Sequence, residues 1–414
     1  MSNSFNVYLQ KANQNKSRQH NQRLVLRTIY EREKISRADI SRVTNLTRTT
    51  VSEIASGLIE IGLIEECGVA KSQGGRPPTF LKISENSRNL ICVDLSGDAF
   101  TGAIVNLSGE IINRIQMPAY RQDKDDATFL VYELIDNLIS MVTEPVLGIG
   151  IGTPGLVDPD RGIVNEAVNL NWRNFHLTNE LMKKYKLPVY IANDGQVSAL
   201  AEFTFGKNNS ENNLILIKIG RGVGSGIVIN RNLHYGDKFG AGEIGHIKIV
   251  EDGELCRCGN YGCLETLVSN TAIITKAKKI IKNNLGSNSS DSIDDQLDIT
   301  IDDVVRAYEA GEEGIIELVK STGRYLGVAI ANIISILNIN TIVISGEVAM
   351  FGNGLISEIE QYVKGASLSI LSNEMRISTS LLGEDSVILG VSSLILRNEL
   401  GLFNKIERHS FTKP

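Results

Sequence analysis

The most pointed chemistry in this 414-residue chain lies in CRCGNYGC, where Cys256, Cys258 and Cys263 fall within eight positions, with His246 ten residues before the first. Thiolates and imidazole are the donors that Zn²⁺ prefers, and four of them close a tetrahedral structural site. The glycines between them permit the tight turns that converging sulfurs require. The reading is one structural zinc per chain, held by His246, Cys256, Cys258 and Cys263. Cys67 and Cys92 stand alone and read as small core residues.

Polar residues gather around this cluster. GAGEIGH places Glu243 beside His246, Glu265 follows two residues after Cys263, and IANDGQ presents Asn193 and Asp194 at the end of the strand-like run PVYIA. Carboxylates and amides grouped where strands end suit a hydroxyl-rich ligand, because each can hold a hydroxyl by a charge-assisted hydrogen bond. Any one of them alone reads equally as a cap or turn residue. Their grouping is what points to a ligand.

A different chemistry occupies the N-terminal fifth. Through residue 84 there are 13 Lys and Arg against seven Asp and Glu, so a head of +6 precedes a body of −12 in a chain of net charge −6. Such an asymmetry directs a polyanion to the head alone. Within it, NQRLVLRTIYERE has helical apolar spacing, Ser36 caps a short helix RADISRVT, and Thr47 caps RTTVSEIASGLIEIG, which ends at Gly62. Two helices joined by a tight turn fit a helix-turn-helix. Its second helix would enter the major groove N-terminus first, turning Thr47, Arg48, Thr49, Thr50 and Ser52 to bases or phosphates, with Arg37 nearby. LIEECGVAKSQGGRPPTFLKI then reads as two strands around a wing tip carrying Lys71 and Arg76. A three-helix protein-interaction module is the alternative for the same pattern.

The elements that must position these groups form an α/β body. NLICVDLSGDAFTGAIVNLSGEIINRIQMPA gives three strand-like runs, and NNLILIKIGRGVGSGIVINRNLHYG repeats the plan. Two such copies, each followed by helices, predict a duplicated architecture with a cleft between the halves. The expected organisation is a flexible stretch over 1–20, a head over 21–84, a first half over 85–200, a second half with the zinc over 201–400, and a tail over 401–414. KNNLGSNSSDSIDDQLD reads as an exposed connector. With 42% hydrophobic and 22% charged residues, wholesale disorder is excluded. No apolar run suits a membrane helix or a signal peptide, and five cysteines do not make a disulfide scaffold; a cytoplasmic protein is expected.

The combination GTPGLVDP, NDGQ, GRGVGSGI, GAGEIGH and CRCGNYGCLE resembles the ROK family of bacterial sugar kinases and sugar-responsive repressors, over roughly residues 20 to 400. A winged head with GGRPP in its wing is similar to the repressor branch, which includes the xylose and N-acetylglucosamine repressors. The resemblance implies an actin-like, ribonuclease H-like duplicated domain. It implies sugar contacts from Asn193, Asp194, Glu243, His246 and Glu265, and more loosely from Gly155 in the TPG turn and Asn169 in VNLNW. Asp194 stands where the kinases keep their general base. His246 would serve twice, one ring nitrogen on zinc and the other turned to a sugar hydroxyl.

Where family kinases carry a phosphate loop like D-x-G-G-T, this chain has DLSGDAF, with Ser96 for a glycine and Asp98 for the threonine. A carboxylate about 4 Å from a triphosphate costs on the order of 4 kcal/mol at an effective dielectric near 20. No ATP and no catalysis are therefore expected, although Arg221 in the second loop could attract phosphate. The expectation is a repressor of carbohydrate-utilisation genes, xylose-type or for another aldose. It would bind an inverted-repeat operator as a homodimer or dimer of dimers, away from any membrane, and leave it when sugar binds. A kinase with an accessory DNA-binding head, and a constitutive DNA-binding protein with an oligomerising body, are the other classes.

Overall fold

The computed structural model describes residues 14–69, 79–119, 124–208, 211–284 and 299–403. Lys71, Arg76 and the hairpin tip lie outside the described residues, as does most of the Ser/Asn/Asp-rich connector.

The head consists of α1 (Gln14–Arg32), β1 (Ile35–Ser36), α2 (Arg37–Thr44), α3 (Arg48–Glu60), β2 (Ile64–Val69) and β3 (Thr79–Ile83). The caps are made as the sequence indicates. Ser36 accepts from the Asp39 N–H at the start of α2, and Thr47 accepts from the Thr50 N–H at the start of α3. Asn45 adopts the left-handed conformation between the two helices. Val51, Ala55 and Leu58 bury one stripe of α3, and the three strands pair antiparallel in the order β1-β3-β2.

Two five-stranded mixed sheets make the body. The first contains β4 (Asn89–Asp94), β5 (Ala99–Val105), β6 (Ile111–Pro118), β7 (Val146–Thr153) and, after α4 (Lys124–Met141), the small sheet β8 (Leu156–Asp158), β9 (Ile163–Ala167), β10 (Trp172–Phe175) and α5 (Leu177–Tyr185), the strand β11 (Val189–Asn193). Helix α6 (Asp194–Phe205) leads to the second sheet, β12 (Leu214–Ile219), β13 (Val223–Ile229) and β14 (Asn232–Leu233). After α7 (Glu265–Val268), α8 (Asn270–Asn284), α9 (Ile301–Glu309) and α10 (Glu313–Leu337) come β15 (Thr341–Ser345), α11 (Gly352–Ala366), α12 (Ser369–Ser372), β16 (Arg376–Thr379) and α13 (Ser386–Ile395). The orders β11-β7-β4-β5-β6 and β16-β15-β12-β13-β14 follow one plan: a central strand, antiparallel neighbours on one side and parallel ones on the other. The duplication read from the sequence is present. β15 is buried along its whole length, as a parallel strand covered on both faces requires. No helix among the described residues is long and apolar enough to cross a membrane.

The head is not a separate body on a loose tether. Val25, Ile29, Leu58 and Leu81 of the head share one continuous core with Leu200 of α6, Val391 of α13 and Leu402. Tyr30 stacks edge-on against Phe403 at 5.2 Å between ring centres, a geometry contributing about 0.5–1.5 kcal/mol beyond burial. Arg88 donates to the Ile61 carbonyl at the end of α3, and the Leu107 N–H donates to the Glu85 carbonyl, which ties residues 84–89 down at both ends.

Between the sheets, α6 is buried from Gly195 through Phe203. α13 crosses it where Gly390 faces the Val197 carbonyl, and a Cβ at Gly390 would lie 2.0 Å from that oxygen. Backbone cannot yield as a flexible side chain can. Gly390→Ala should therefore lower stability by roughly 1–3 kcal/mol, the usual cost of overpacking a core. Chemical denaturation of both proteins checks this, and an unchanged midpoint would contradict the close crossing.

Candidate functional site

Asn193 and Asp194 sit where β11 gives way to α6. The Asn193 Oδ1 accepts from the Gln196 N–H at 3.1 Å, capping the helix, and its Nδ2 donates to the Gly155 carbonyl at 3.0 Å. Gly155 has φ near +88°, and a Cβ there would lie 2.0 Å from the Glu166 carbonyl oxygen, so the TPG turn admits only glycine. These two residues form the frame of the cleft. Gln196 extends it, donating to the Phe239 carbonyl and so holding the loop that precedes GEIGH.

The Asp194 carboxylate is the first helical residue of α6, and its Oδ2 accepts from Lys218 Nζ at 2.9 Å. The same ammonium donates to Ser96 Oγ at 2.9 Å. Burial opposes the charge on Lys218, but Asp194 and Asp94 outweigh it and hold the amine above the usual lysine range. Asp94 itself is pushed up by burial, against the pull of Lys218. Lys218 was not among the residues singled out from the sequence. Its signal is visible in LILIKI, where it is the one charge in an otherwise apolar strand.

The GEIGH loop lies on β13, with Ser225 Oγ donating to the Gly242 carbonyl. Burial raises the Glu243 carboxyl above its usual range; His246 draws it back, and Asp194 and Glu265 push it further up. Asp194, His246 and Glu265 are thus all near enough to Glu243 to act on its charge. Glu265 is partly committed, since its Oε2 accepts from the Val223 N–H at 3.0 Å and caps the glycine loop GRGVG. Asn169 is brought in at the rim, exposed, with Arg257 Nη1 3.5 Å from its Oδ1.

His246 turns its two ring nitrogens to different neighbours. Nδ1 is 3.6 Å from Cys256 Sγ, and Nε2 is 3.9 Å from Glu243 Oε2. The ligand atoms of His246, Cys256, Cys258 and Cys263 all lie within 4.8 Å of one another, a set that could hold a metal ion. A narrow hairpin gathers them: the Cys256 N–H donates to the Asn260 carbonyl, Leu255 bridges Tyr261, and Lys248 bridges Cys263.

The two kinase-loop departures turn out to be partners. Arg221 Nη1 donates to Asp98 Oδ1 across the cleft. Asp98 is therefore not a bare carboxylate, because the Arg221 guanidinium offsets its charge. Gly220 of the same loop is covered by Glu347, whose Oε2 would lie 3.0 Å from a Cβ at that position.

The model of the ROK family matches residues 90–398. This chain belongs to the ROK family. It is 31% identical over 389 residues to the xylose repressor of Caldicellulosiruptor bescii, covering 92% of this chain and 97% of that one. A glucokinase of Halalkalibacterium halodurans is 33% identical over 333 residues, 79% of this chain and all of the enzyme. Among solved structures, a ROK family transcriptional regulator homologous to the E. coli MLC protein superposes with a TM-score of 0.80 at 30% identity, over 94% of this chain and 98% of that one.

In the head of this ROK protein, Thr47, Arg48, Thr49 and Ser52 are exposed at the start of α3. Thr50 is held by the cap, its Oγ1 2.8 Å from that of Thr47. Arg37 pairs with Glu66 of β2 at 2.8 Å, so it braces the head as well as charging it.

The thiols of the cluster differ sharply. The hydrogen bond from the Asn260 N–H draws Cys258 down to about 7, whereas burial and the neighbouring thiols push Cys263 up to about 12. Cys92 is buried and also raised. The thiolate is the reactive form. With metal chelated, at about pH 7.5, Cys258 should be alkylated first of the five cysteines, at a rate that climbs through pH 7 and then levels, while Cys92 waits for unfolding. Peptide mapping after timed alkylation reads the order. Cys92 or Cys263 leading would contradict it.

Proposed function

We propose that this ROK protein is a sugar-responsive transcriptional repressor whose body senses an aldose and whose head binds an operator. One observation carries the reading: the ROK body and a basic helical head share a single hydrophobic core. The names of the relatives agree with it, since the xylose repressor matches through 97% of its own length.

The head is a winged helix-turn-helix. α3 enters the major groove with Arg48, Thr49 and Ser52 foremost. The body is an actin-like duplicated domain that dimerises so that two heads read an inverted repeat. Exposed Ile336 at the end of α10, with Leu368 and Ile370 around α12, offers the apolar surface for that contact.

In the cleft, Asp194, Glu243, His246 and Glu265 hold the sugar hydroxyls, Asn193 and Gly155 set their frame, and Asn169 closes the rim. A structural zinc suits the cysteine and histidine cluster, since three sulfurs and one nitrogen within 4.8 Å match its donor set and tetrahedral size. It would fix His246 Nδ1 and leave Nε2 to the cleft. Phosphoryl transfer is not supported. Asp194, where the kinases keep a base, is bonded to an ammonium, and the phosphate loops are closed by Asp98, Arg221 and Glu347.

Selection from random duplexes supplies the operator, and titration of D-xylose and other aldoses against the labelled duplex tests the sensor. Sugar and DNA must weaken each other by the same factor. Arg48→Ala should weaken operator binding about tenfold or more and flatten its salt dependence. Asp194→Ala should bind operator as before yet stay bound when sugar is added. Equal release by Asp194→Ala and the unaltered protein would remove Asp194 from the sensor, and a thermal shift with MgATP would restore the kinase reading.

Elemental analysis of fresh protein should find about one zinc per chain, and Cys258→Ser should lose both metal and thermal stability. Zinc-free protein of full stability would exclude the metal.

A further inference from the structure

Lys218 reaches from β12 of the second sheet to two groups of the first half, Asp194 Oδ2 and Ser96 Oγ, each at 2.9 Å. Its ammonium and the Asp194 carboxylate are both about four-fifths shielded from solvent, so the pair is held in a low dielectric where charges act strongly. Three residues on, Arg221 makes a second bridge in the same sense, to Asp98 in the turn that also carries Ser96. Asp94 and Glu347 add to the negative charge that Lys218 meets.

A carboxylate has two oxygens and about four acceptor positions. With Oδ2 engaged by the ammonium, Oδ1 is the oxygen that Asp194 can offer outward. Lys218 thus orients the acceptor while tying it to both halves. An ion pair that served stability alone would have no reason to use the carboxylate facing the other polar groups of the cleft.

We propose that Lys218 is a positioning residue of the sugar sensor: it links the sugar-holding carboxylate of Asp194 to the Ser96 turn, so that an aldose taking hold of Asp194 changes the angle between the halves without any nucleotide. This deepens the repressor reading and rests on it. In such a cleft the chain's own lysine and arginine make the cross-links that a bound triphosphate would otherwise make. A ligand moves an equilibrium only by binding its states unequally, and the Lys218 bridge supplies the inequality, because it can be kept in only one of two closure angles.

The test uses full-length protein, the selected operator duplex, and D-xylose, D-glucose and N-acetylglucosamine as probes. Lys218→Met should bind the responsive sugar at least tenfold more weakly and fail to release DNA when sugar is raised to compensate. Lys218→Arg, which keeps the charge, should restore release in part. Ser96→Ala leaves Asp194 and its ion pair in place; it should keep sugar affinity within threefold but lose most of the factor by which sugar weakens DNA binding. A purely structural role predicts instead a fall in thermal stability with sugar affinity and release unchanged, and that result would overturn the proposal. If Lys218→Met does not fold, Ser96→Ala decides: coupling equal to that of the unaltered protein overturns the proposal. An unaltered protein that none of the three sugars moves from its operator would overturn this proposal at its base, together with the repressor reading.

Discussion

Helix α6 has no face to solvent over most of its length, and the rest of the molecule is arranged around that constraint. Its side chains from Gly195 to Phe203 are all buried. On one side lies β13, where a Cβ at Gly226 would meet that of Ala199 at 2.4 Å; on another lies α13, with Gly390 against the Val197 carbonyl. A helix packed this closely cannot tilt without moving its neighbours, because interiors at crystal-like density transmit strain rather than absorb it. The residue that begins α6 is Asp194, and the residue that caps it is Asn193. Asn193 and Asp194 are therefore mounted on an element with little freedom to tilt.

The same helix shares a hydrophobic core with the head. α13 runs on through Leu396–Leu400 in a wide turn of π-type, and this segment meets α1, where a Cβ at Gly401 would touch the Arg23 side chain. Tyr190 donates to Glu399 and Phe403 stacks on both Tyr30 and Phe205. Burial, with the charge of Glu85 adding to it, pushes the Tyr30 hydroxyl up to about 12, consistent with a ring held dry in this joint. The sequence places the last residues beyond the body as a tail, but Leu402 is buried. The head is thus attached twice, through residues 84–89 and through Leu402 and Phe403, which follow α13. Packing alone is only a route; signalling requires that sugar and DNA favour different arrangements along it.

What could be read in advance was local or periodic. The Ser36 and Thr47 caps, the turn at Asn45 and the end of α3 at Gly62 follow from bonds between residues three or four apart, which residue type and spacing display. The duplicated sheets show as two runs of alternating strands and turns, and the metal cluster shows because its ligand types are rare and close in sequence. What escaped was long-range. Lys218 meets Ser96 and Arg221 meets Asp98 across more than 120 positions of chain, and nothing local marks such partners. Arg37 reads as a cation for DNA until its pairing with Glu66 is seen. Asn193 reads as a ligand residue, and the fold adds a second use for both its amide atoms, one capping α6 and one holding the TPG turn. Single polar residues at strand ends carry both meanings, and only the fold separates them.

These pairings bear on how one architecture can serve kinases and regulators alike. A cleft that must admit a nucleotide needs unpaired donors along its phosphate loops, and those donors stay solvated until the ligand arrives. Here Arg221 is met by Asp98, Lys218 by Asp194 and Ser96, and the backbone at Gly220 by Glu347. The Lys218–Asp194 pair is shielded, and removing one partner of such a pair leaves the other uncompensated, so an entering phosphate would have to break that pairing before making its own bonds to the lysine; the Arg221–Asp98 pair lies exposed. A neutral sugar faces no such barrier. It displaces water from carboxylates that keep their cations, and the energy of its hydroxyl bonds can go to the angle between the halves. With these side chains already paired, a small uncharged ligand has fewer bonds to break here than a phosphate would.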